Sequence, residues 1–432
     1  MLFEHALHGP APKPVSFETL ETATRQYALN LAAQMLESAL NADHSDYVGP
    51  FCRCNCGNEA RYAGRKSKTV VSVVGEMTLS RAYYLCDHCG VGWFPRDQRL
   101  KLGRGSLSTG LTRMVGTTAA LVSFKEADEL LGTLAGVNVG AKHVERAAET
   151  LGAEIAVREQ AEASVGKPCS RTMYLGMDGT GIPMRSQELV GRSGKQADGS
   201  AKTREVKLVT IWSADGRDKE GLPVRDVGSV SYNAAIESAA SRDTDDTLSD
   251  FAYRVEREAT RRGFNAADQR VIIGDGAKWI WNIADELFPG AIQIVDLFHA
   301  KGTISTVAKD IFGIDSEYGQ QWAKKRRDEL EEGRIEDIFE ALQPHLKSYK
   351  EVRSCRKYLL NNKHRMQYPT FRRQGLVTSS GVVEAGCKLA IGTRLKRSGM
   401  HWSLNGANSI IALRCCKLSN RYDDFWQKRL AS

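Results

Sequence analysis

Two aspartates in the middle of the sequence stand in positions suited to metal-dependent chemistry. Asp178 follows the apolar run TMYLGM, Asp275 follows RVIIG, and a glycine comes directly after each. Acidic residues that follow strands lie at the edge where open α/β sheets place their catalytic groups. Carboxylates brought together from separate strands form an oxygen cage that suits Mg²⁺ or Mn²⁺. An Asp-Gly pair is also typical of a plain turn, but two of them after buried-strand patterns favour a metal site.

The patterns around these aspartates predict an α/β architecture, with a mixed sheet and helices packed against it. Strand patterns come first, in TMYLGMDGT, REVKLVTIWSADG and SVSYNAAI, and a helix is predicted from Asp246-Thr247 to Gly263. Strand and helix then alternate through RVIIGDGA, KWIWNIADELF and AIQIVDLFHA. From about Lys301 to Arg373 the sequence is charged and helical, and a last helical stretch surrounds VVEAGCKLAIGTRLK.

A second group of chemically active residues, nearer the N-terminus, predicts a zinc ribbon. The knuckle Cys86-Asp-His-Cys89-Gly90 has the spacing of a zinc site, and VVSVVGEMTLSRAYY before it predicts a small antiparallel sheet. The other half, Cys52-Arg-Cys54-Asn-Cys56, departs from the usual spacing. The predicted ligands are Cys56, Cys86 and Cys89 with either Cys54 or Cys52, and His88 is an outside candidate. The alternative is a metal-free sheet with reduced thiols.

Helical patterns flank the cysteine-rich segment. Phe17 to about Ala42 predicts an amphipathic helix, and the pattern is helical again from about Ser106 to Gln160. The turn AGVNVG divides the second stretch after a face formed by Phe124, Ala127, Leu130, Leu131 and Leu134. Two helices joined by a turn with glycine are typical of a helix-turn-helix DNA reader, and equally of an ordinary helical hairpin.

The bulk properties exclude some classes of protein. A chain of 432 residues predicts two to four domains. The sequence contains no run of about 18 apolar residues, so no membrane span is predicted. The start MLFEHALHGPAPKP lacks the pattern of a signal peptide, so we expect a cytoplasmic protein. Ten cysteines without that signal argue against a disulfide framework, and those outside the zinc segment have the pattern of isolated buried thiols.

The distribution of charge favours a nucleic-acid partner. The net charge is +8, and the C-terminal part carries KKRRDELEEGR, FRRQG, GTRLKRSGMHW and QKRL with aromatic residues interleaved. Such residues neutralise phosphates and stack on unpaired bases. Any one of these runs is equally typical of a solvated helix face.

Several long motifs in one order resemble the Kra-type insertion-sequence transposases, a bacterial group of the Mutator-like Asp-Asp-Glu superfamily. The motifs are MYLGMDGTGIPM, KQADGSAKTREVKLVTIW, VIIGDGAKWIWNIADELFPGAIQIVDLFHA and SSGVVEAGCKLAIGTRLKRSGMHWS, and RYAGRKSKTVVSVVGEMTLSRAYYLCDHCGVGWFPRD resembles the group's N-terminal region. The resemblance extends from about Tyr47 to Asn420. It implies a ribonuclease-H-like catalytic core with an all-helical insertion.

The resemblance also implies the catalytic residues. Asp178, Asp275 and Glu384 correspond to the triad that binds two Mg²⁺ or Mn²⁺ ions; nothing but the resemblance singles out Glu384. Asp296 and His299 form an Asp-x-x-His motif similar to one of the Mutator-like group. His299 then has a supporting role, contacting a phosphate oxygen or orienting a ligand, or it is a structural histidine.

Residues of the matching motifs are candidates for contact with DNA. They are Lys202, Arg204, Lys388, Arg394, Lys396, Arg397 and Trp402. For each charged residue, the alternative to contact with DNA is an ordinary surface charge. For Trp402, the alternative to stacking on a base is a position in the core.

The implied protein is a DNA transposase. It binds the terminal inverted repeats of its element, cuts phosphodiester bonds with Mg²⁺ or Mn²⁺, and joins 3′-OH ends to target DNA. Its expected partners are double-stranded DNA and further copies of itself, and its place is the bacterial nucleoid. Rival interpretations are a catalytically silent DNA-binding regulator and a nuclease without strand transfer.

The expected domains follow the same order along the chain. They are an N-terminal helical segment (1–46), a zinc-ribbon-like domain (47–104), a helical DNA-binding region (105–165), the first part of the core (170–300), the insertion (301–373), and the core's C-terminal helix with a basic tail (374–432).

Overall fold

The computed structural model describes residues 16–103, 105–161, 166, 170–194, 196, 199–239 and 248–431. The N-terminal stretch MLFEHALHGPAPKP, for which no signal peptide is predicted, lies outside the described residues. By contacts the chain divides into two compact units, one formed by residues up to Leu151 and from Asp424 onward, the other by Gly152–Asp423. No helix in the described ranges combines the length and the apolar character that a membrane span requires.

The first unit begins with a helix and a small sheet. Helix α1 (Phe17–Ala42) starts at Ser16, whose hydroxyl accepts a hydrogen bond from the Thr19 N–H at 3.2 Å. Four antiparallel strands follow in the order β1 (Phe51–Arg53), β2 (Glu59–Ser72), β3 (Gly75–Leu85) and β4 (Gly92–Trp93). The long β2–β3 hairpin is the sheet that the alternating pattern predicts, because alternate side chains face a small core.

Helices complete the first unit. They are α2 (Pro95–Arg99), α3 (Thr109–Leu121), α4 (Phe124–Leu130) and, as far as Leu151, α5 (Ala141–Ala161). The predicted break is present, since Gly136 ends the preceding turn with a φ of +72°. The predicted buried face is wrong at its end, since Leu130 is 36% exposed and Leu134 is 69% exposed. The residues Leu131–Ala135 form a π-helical turn, and its wider spacing takes Leu134 off that face. The DNA-reading role stays a prediction.

A five-stranded mixed sheet is the centre of the second unit. Its strands are β5 (Thr172–Pro183), β6 (Thr203–Ser213), β9 (Ser231–Ala235), β10 (Gln269–Gly274) and β11 (Ile292–Val295). The strand order is β11-β10-β5-β6-β9. Strands β5, β6 and β9 are antiparallel neighbours, whereas β10 is parallel to both β5 and β11. The short strands β7 (Gly216–Arg217) and β8 (Pro223–Val224) pair separately.

The end of β5 differs from the prediction. The apolar pattern places the strand end at Asp178, but β5 continues to Pro183 because β6 pairs with it along its whole length. Parallel pairing with β10, by contrast, stops at Gly176. Asp178 therefore lies in mid-strand, just beyond the carboxyl end of the parallel part of the sheet.

Helices cover the sheet and follow it. Between β9 and β11 lie α6 (Asp250–Arg262) and α7 (Lys278–Leu287). The predicted start of α6 at Asp246-Thr247 lies outside the described residues; the helix is capped by Ser249 and ends at Gly263. After β11 come α8 (Leu297–Phe312), α9 (Glu317–Glu331), α10 (Ile335–Leu342), α11 (Lys350–Asn362) and α12 (Tyr368–Arg373). As predicted, this segment is helical, and residues 296–431 contribute no strand to the sheet.

A final group of helices follows the return of the chain to the sheet. It consists of α13 (Gly381–Gly386), a π-helical turn (Cys387–Gly392), α14 (Thr393–Leu395), α15 (Leu404–Leu418) and α16 (Tyr422–Ala431). Helix α13 packs directly on the sheet, because Gly176 and Gly386 leave room for it. A Cβ atom on Gly176 would lie 2.0 Å from the Val383 side chain, and one on Gly386 would lie 3.0 Å from Leu208.

Candidate functional site

Three aspartates occupy corresponding positions on three adjacent strands. Asp178 lies just past the parallel part of β5, Asp275 directly follows β10, and Asp296 directly follows β11. The parallel strands β5, β10 and β11 run in the same direction, so these carboxylates meet at one edge of the sheet. Two of the three are the aspartates that the strand-end pattern singles out.

The Asp178 carboxylate is held by two donors. Its Oδ1 accepts the Gly179 N–H at 2.6 Å, and the Cys387 thiol also hydrogen-bonds to it. Burial raises the pKa of Asp178, and the negative charge of the nearby Asp275 raises it further. Both effects penalise the charged carboxylate, and a cation bound beside it would relieve both.

Asp275 begins a tight turn at the end of β10. Its Oδ1 accepts the Ala277 N–H at 2.8 Å, and Gly276 between them has a φ of +99°. Glycine adopts this left-handed conformation without the steric cost of a side chain. The turn is also held from outside, because the Tyr358 hydroxyl donates to the Asp275 carbonyl oxygen at 2.9 Å.

Asp296 already uses both of its carboxylate oxygens. The residue is 4% exposed; Oδ1 accepts the His299 N–H at 2.5 Å as the N-cap of α8, and Oδ2 accepts the Ser380 N–H. Beside it, the Leu297 N–H donates to the Thr378 carbonyl at 3.0 Å. Asp296 therefore connects the end of β11 to the segment that leads into α13.

Glu384 reaches the same place from a helix. It is exposed on α13, and it lines a cavity of about 560 Å³ together with Asp178, Asp275, Asp296, His299 and Ser380. One wall of this cavity is the first two turns of α8, from Phe298 to Thr306. The three carboxylates that the resemblance implies as a triad thus face one open space, although they come from β5, from the end of β10 and from α13.

The first unit contains a separate group of thiols. The sulfur atoms of Cys54, Cys56, Cys86 and Cys89 all lie within 4.8 Å of one another, an arrangement able to hold a metal ion. The main-chain and side-chain N–H groups of Asn58 lower the pKa of the Cys56 thiol to about 6, which favours the thiolate that metals bind.

The geometry also distinguishes between the two candidates for the fourth thiol. Cys54 belongs to this group, with its sulfur 3.6 Å from that of Cys89, whereas Cys52 does not. Cys52 faces Trp93 instead. The convergence of four cysteines is as predicted, and zinc as their ligand stays a prediction.

The four clustered cysteines and the carboxylates of the cavity both lie in the part of the chain that matches a known protein family. Residues 54–422 match the family model described as "Uncharacterised protein family (UPF0236)". The chain belongs to the UPF0236 family. The match covers 85% of the 432 residues, from the first cysteine of the thiol group to beyond Glu384. The family description names no activity, so the more specific resemblance to Kra-type transposases stays a prediction.

Other comparisons add little to the UPF0236 assignment. Curated proteins give no match. Among solved structures, the chain is similar to the Drosophila P element transposase strand transfer complex, with 9% identity, coverage of 77% of this chain and 83% of that chain, and a TM-score of 0.24. A TM-score this low carries no argument about fold or function.

Two of the residues predicted to contact DNA are buried in this UPF0236 protein. Arg394 has no exposed surface, and its guanidinium lies over the Trp402 ring at 5.3 Å. Trp402 is 6% exposed, and its indole N–H donates to the Leu395 carbonyl at 3.0 Å. Neither side chain offers a surface to DNA, so the burial of both contradicts that prediction. Trp402 has the core position that was its alternative.

The other predicted DNA contacts remain available to a ligand. Lys202, Lys388, Lys396 and Arg397 are exposed and Arg204 is half-buried. Lys396 hydrogen-bonds to the Thr180 hydroxyl, two residues beyond Asp178 on β5. Positive charge thus lies against the strand that carries Asp178.

Several residues in the cavity wall or in contact with its aspartates could not be found from the sequence alone. Phe298 lines the cavity and is 68% exposed, and Ser380 and Tyr358 contact the aspartates described above. Cys387 has the pattern of an isolated buried thiol but hydrogen-bonds to Asp178. The partners are 83 to 209 positions apart along the chain, and no local pattern connects them.

Proposed function

We propose that this protein is a DNA transposase in which Asp178, Asp275 and Glu384 bind the catalytic cations. The observation that carries the proposal is the single open cavity lined by these three carboxylates. The mixed sheet, with a helical segment between its last strand and α13, supports the ribonuclease-H-like core that the resemblance implies.

The donor set fits Mg²⁺ or Mn²⁺. The three carboxylates offer only oxygen atoms as ligands, and hard divalent cations prefer oxygen. When bound, two such ions activate an attacking oxygen and stabilise the leaving 3′ oxygen in phosphodiester cleavage. The residues themselves are held for this purpose, since the N–H groups of Gly179 and Ala277 fix one oxygen each of Asp178 and Asp275.

The walls of the cavity supply contacts for a nucleic-acid backbone. His299 is exposed at its edge, where its ring can donate to a phosphate oxygen. Outside the residues that line the cavity, the exposed Lys202, Lys388, Lys396 and Arg397 supply positive charge for further phosphates. Water and a DNA 3′-OH need the same geometry for in-line attack, so one site serves both cutting and joining.

In the first unit we propose a structural zinc ion on Cys54, Cys56, Cys86 and Cys89. Four thiolates around one point form a closed tetrahedral set with no open position for a substrate. A structural ion of this kind stabilises its domain, and it leaves the chemistry to the acidic cavity.

A strand-joining assay tests the proposed function. The DNA flanking the gene supplies candidate inverted repeats, and oligonucleotides ending in them with a free 3′-OH are mixed with the protein, Mg²⁺ and a target plasmid. A transposase joins the ends to the target. Cleavage of uncut ends without joining identifies a nuclease, and specific binding without either reaction under Mg²⁺ or Mn²⁺ identifies a regulator.

A further inference from the structure

Tyr358 lies in the helical segment but contacts the acidic site. It stands on α11, and its hydroxyl donates to the Asp275 carbonyl oxygen at 2.9 Å, across 83 positions of the sequence. The Tyr358 side chain is partly buried, and its ring centroid is 6.1 Å from that of His299, a residue that lines the cavity.

The ring of Tyr358 also lies directly against the turn that follows Asp275. A Cβ atom on Gly276 would lie 2.4 Å from Tyr358 Cε2, and Gly276 has a φ of +99°. The turn therefore requires glycine for two reasons, its left-handed backbone and the space that the tyrosine ring occupies. The hydroxyl and the ring together fix the plane of the peptide that joins Asp275 to Gly276.

The orientation of that peptide determines where the Asp275 carboxylate points. One of its oxygens is already held by the Ala277 N–H at 2.8 Å, on the far side of the same turn. The carbonyl of Asp275 is held by Tyr358, so the residue is fixed at both its side chain and its main chain. Small errors in the placement of a catalytic group are costly.

We infer that Tyr358 is a positioning residue for Asp275, through which the helical segment holds a metal-binding carboxylate in place. The inference rests on the proposed function, because it takes Asp275 as a cation ligand. Tyr358 itself touches neither the cation nor the substrate in this scheme. Its contribution is the bond to the main chain and the packing on Gly276.

The test uses Tyr358→Phe, which keeps the ring and removes only the hydroxyl. We expect the dissociation constant for Mn²⁺, measured on the full chain without DNA by electron paramagnetic resonance, to rise about 3- to 10-fold, the equivalent of one lost hydrogen bond. In cleavage assays the Mn²⁺ concentration at half-maximal rate should rise by a similar factor, while the rate at saturating Mn²⁺ changes less.

A matched control separates positioning from general loss of stability. The Tyr368 hydroxyl donates to the Val295 carbonyl at 3.1 Å, at the end of the neighbouring strand β11. Tyr368→Phe therefore loses the same kind of bond one strand away from Asp275. We expect it to lower the melting temperature at least as much as Tyr358→Phe does, with Mn²⁺ affinity unchanged.

A second variant approaches the same contact from the other side. Gly276→Ala keeps the tyrosine hydroxyl but places a methyl group against the ring, and it should weaken Mn²⁺ binding more than Tyr358→Phe. Wild-type Mn²⁺ affinity in either folded variant overturns the inference, as does an equal loss in Tyr368→Phe. A wild-type protein that binds no Mn²⁺ overturns the proposed function itself.

Discussion

Asp275 and Asp296 are both strand-end aspartates, but their oxygens are engaged differently. Asp296 accepts backbone N–H groups with both oxygens and is almost fully buried, whereas Asp275 accepts one and is only partly buried. Hydrogen bonds occupy lone pairs of a carboxylate, so Asp275 has more lone-pair capacity left for a cation than Asp296 has. The sequence alone makes the two residues equivalent, since each follows an apolar strand pattern, and the contact of Asp296 with Ser380 is visible only in three dimensions.

The first prediction is that Asp275→Asn abolishes catalysis without unfolding the protein. The change preserves size but removes one negative charge and a strong cation ligand. Mn²⁺ occupancy should fall, and cleavage of element ends should fall by roughly a thousandfold or more. Binding to the ends, followed by gel shift, should persist. Asp310→Asn, an exposed aspartate on α8, is the control. Near-normal cleavage by Asp275→Asn would contradict its assignment as a ligand.

The second prediction is that Asp296→Asn acts mainly on stability. An amide group offers one acceptor where the carboxylate offers two, so either the His299 or the Ser380 N–H loses its partner. A buried donor left without an acceptor costs about 1–3 kcal/mol, which a chemical-denaturation curve detects. The Mn²⁺ dissociation constant of the folded variant should stay within about 3-fold of the wild-type value. A stable variant with lost Mn²⁺ binding would instead make Asp296 a direct ligand.

At the scale of elements, much of the second unit follows from sequence patterns. The strands β6, β9, β10 and β11 and the helical segment after them lie where periodicity predicts, because each buries an apolar face. The length of β5 does not follow, since the residues from Asp178 to Pro183 include two glycines and a single large apolar side chain, and they form a strand through pairing with β6. Glu384 has no local signal either, because its position depends on Gly176 admitting α13.

Buried charge joins some of these elements. Glu258 on α6 is fully buried and accepts hydrogen bonds from Arg421 at 2.8 Å, Arg261 at 2.5 Å and Asn233 at 3.3 Å. Burial by itself would raise the pKa of Glu258, but the two arginines outweigh it and hold the pKa at about 2. Helix α6, strand β9 and the residue before α16 are therefore linked by one carboxylate.

The third prediction follows from that lowered pKa. Glu258→Gln should destabilise the protein by about 3 kcal/mol at pH 7, because it removes the buried carboxylate charge that pairs with the half-buried Arg261 and Arg421. A carboxylate whose pKa is lower in the folded state stabilises the fold above its unfolded value, near 4.5, and loses that effect as the pH falls towards 2. The difference in unfolding free energy between the wild type and Glu258→Gln should therefore become smaller over this range. Glu286→Gln, an exposed change on α7, should show no such difference at any pH.

At the scale of the whole molecule, the two compact units contain two chemically different sites. The first unit contains four clustered thiols, which are soft donors, and the second contains carboxylates, which are hard donors, around an open cavity. The spacing of the cysteines predicts the first site almost completely, because three of its ligands stand in short local motifs. The choice of Cys54 over Cys52 could not be made from spacing, because Cys52 lies within β1 and faces Trp93, whereas Cys54 follows the strand and faces the other thiols.

The last prediction uses this difference in ligand type to remove one ion at a time. Metal analysis of the purified protein should find about one zinc per chain, and Cys89→Ser should lose it, with local unfolding of the first unit, because a structural zinc ion supplies much of the stability of a small domain. Cys52→Ser is the matched control, since Cys52 is next to the group but outside it. That variant should keep its zinc and its fold.

Loss of zinc should affect recognition and leave the acidic site intact. In Cys89→Ser we expect weaker binding to element ends by gel shift, while Mn²⁺ still binds with wild-type affinity, since none of the carboxylates belongs to the first unit. A strong zinc chelator added to the wild type should reproduce this result. A wild type that is fully folded without metal would contradict the zinc assignment, and Cys52→Ser losing the ion would mean that the fourth ligand is Cys52 after all.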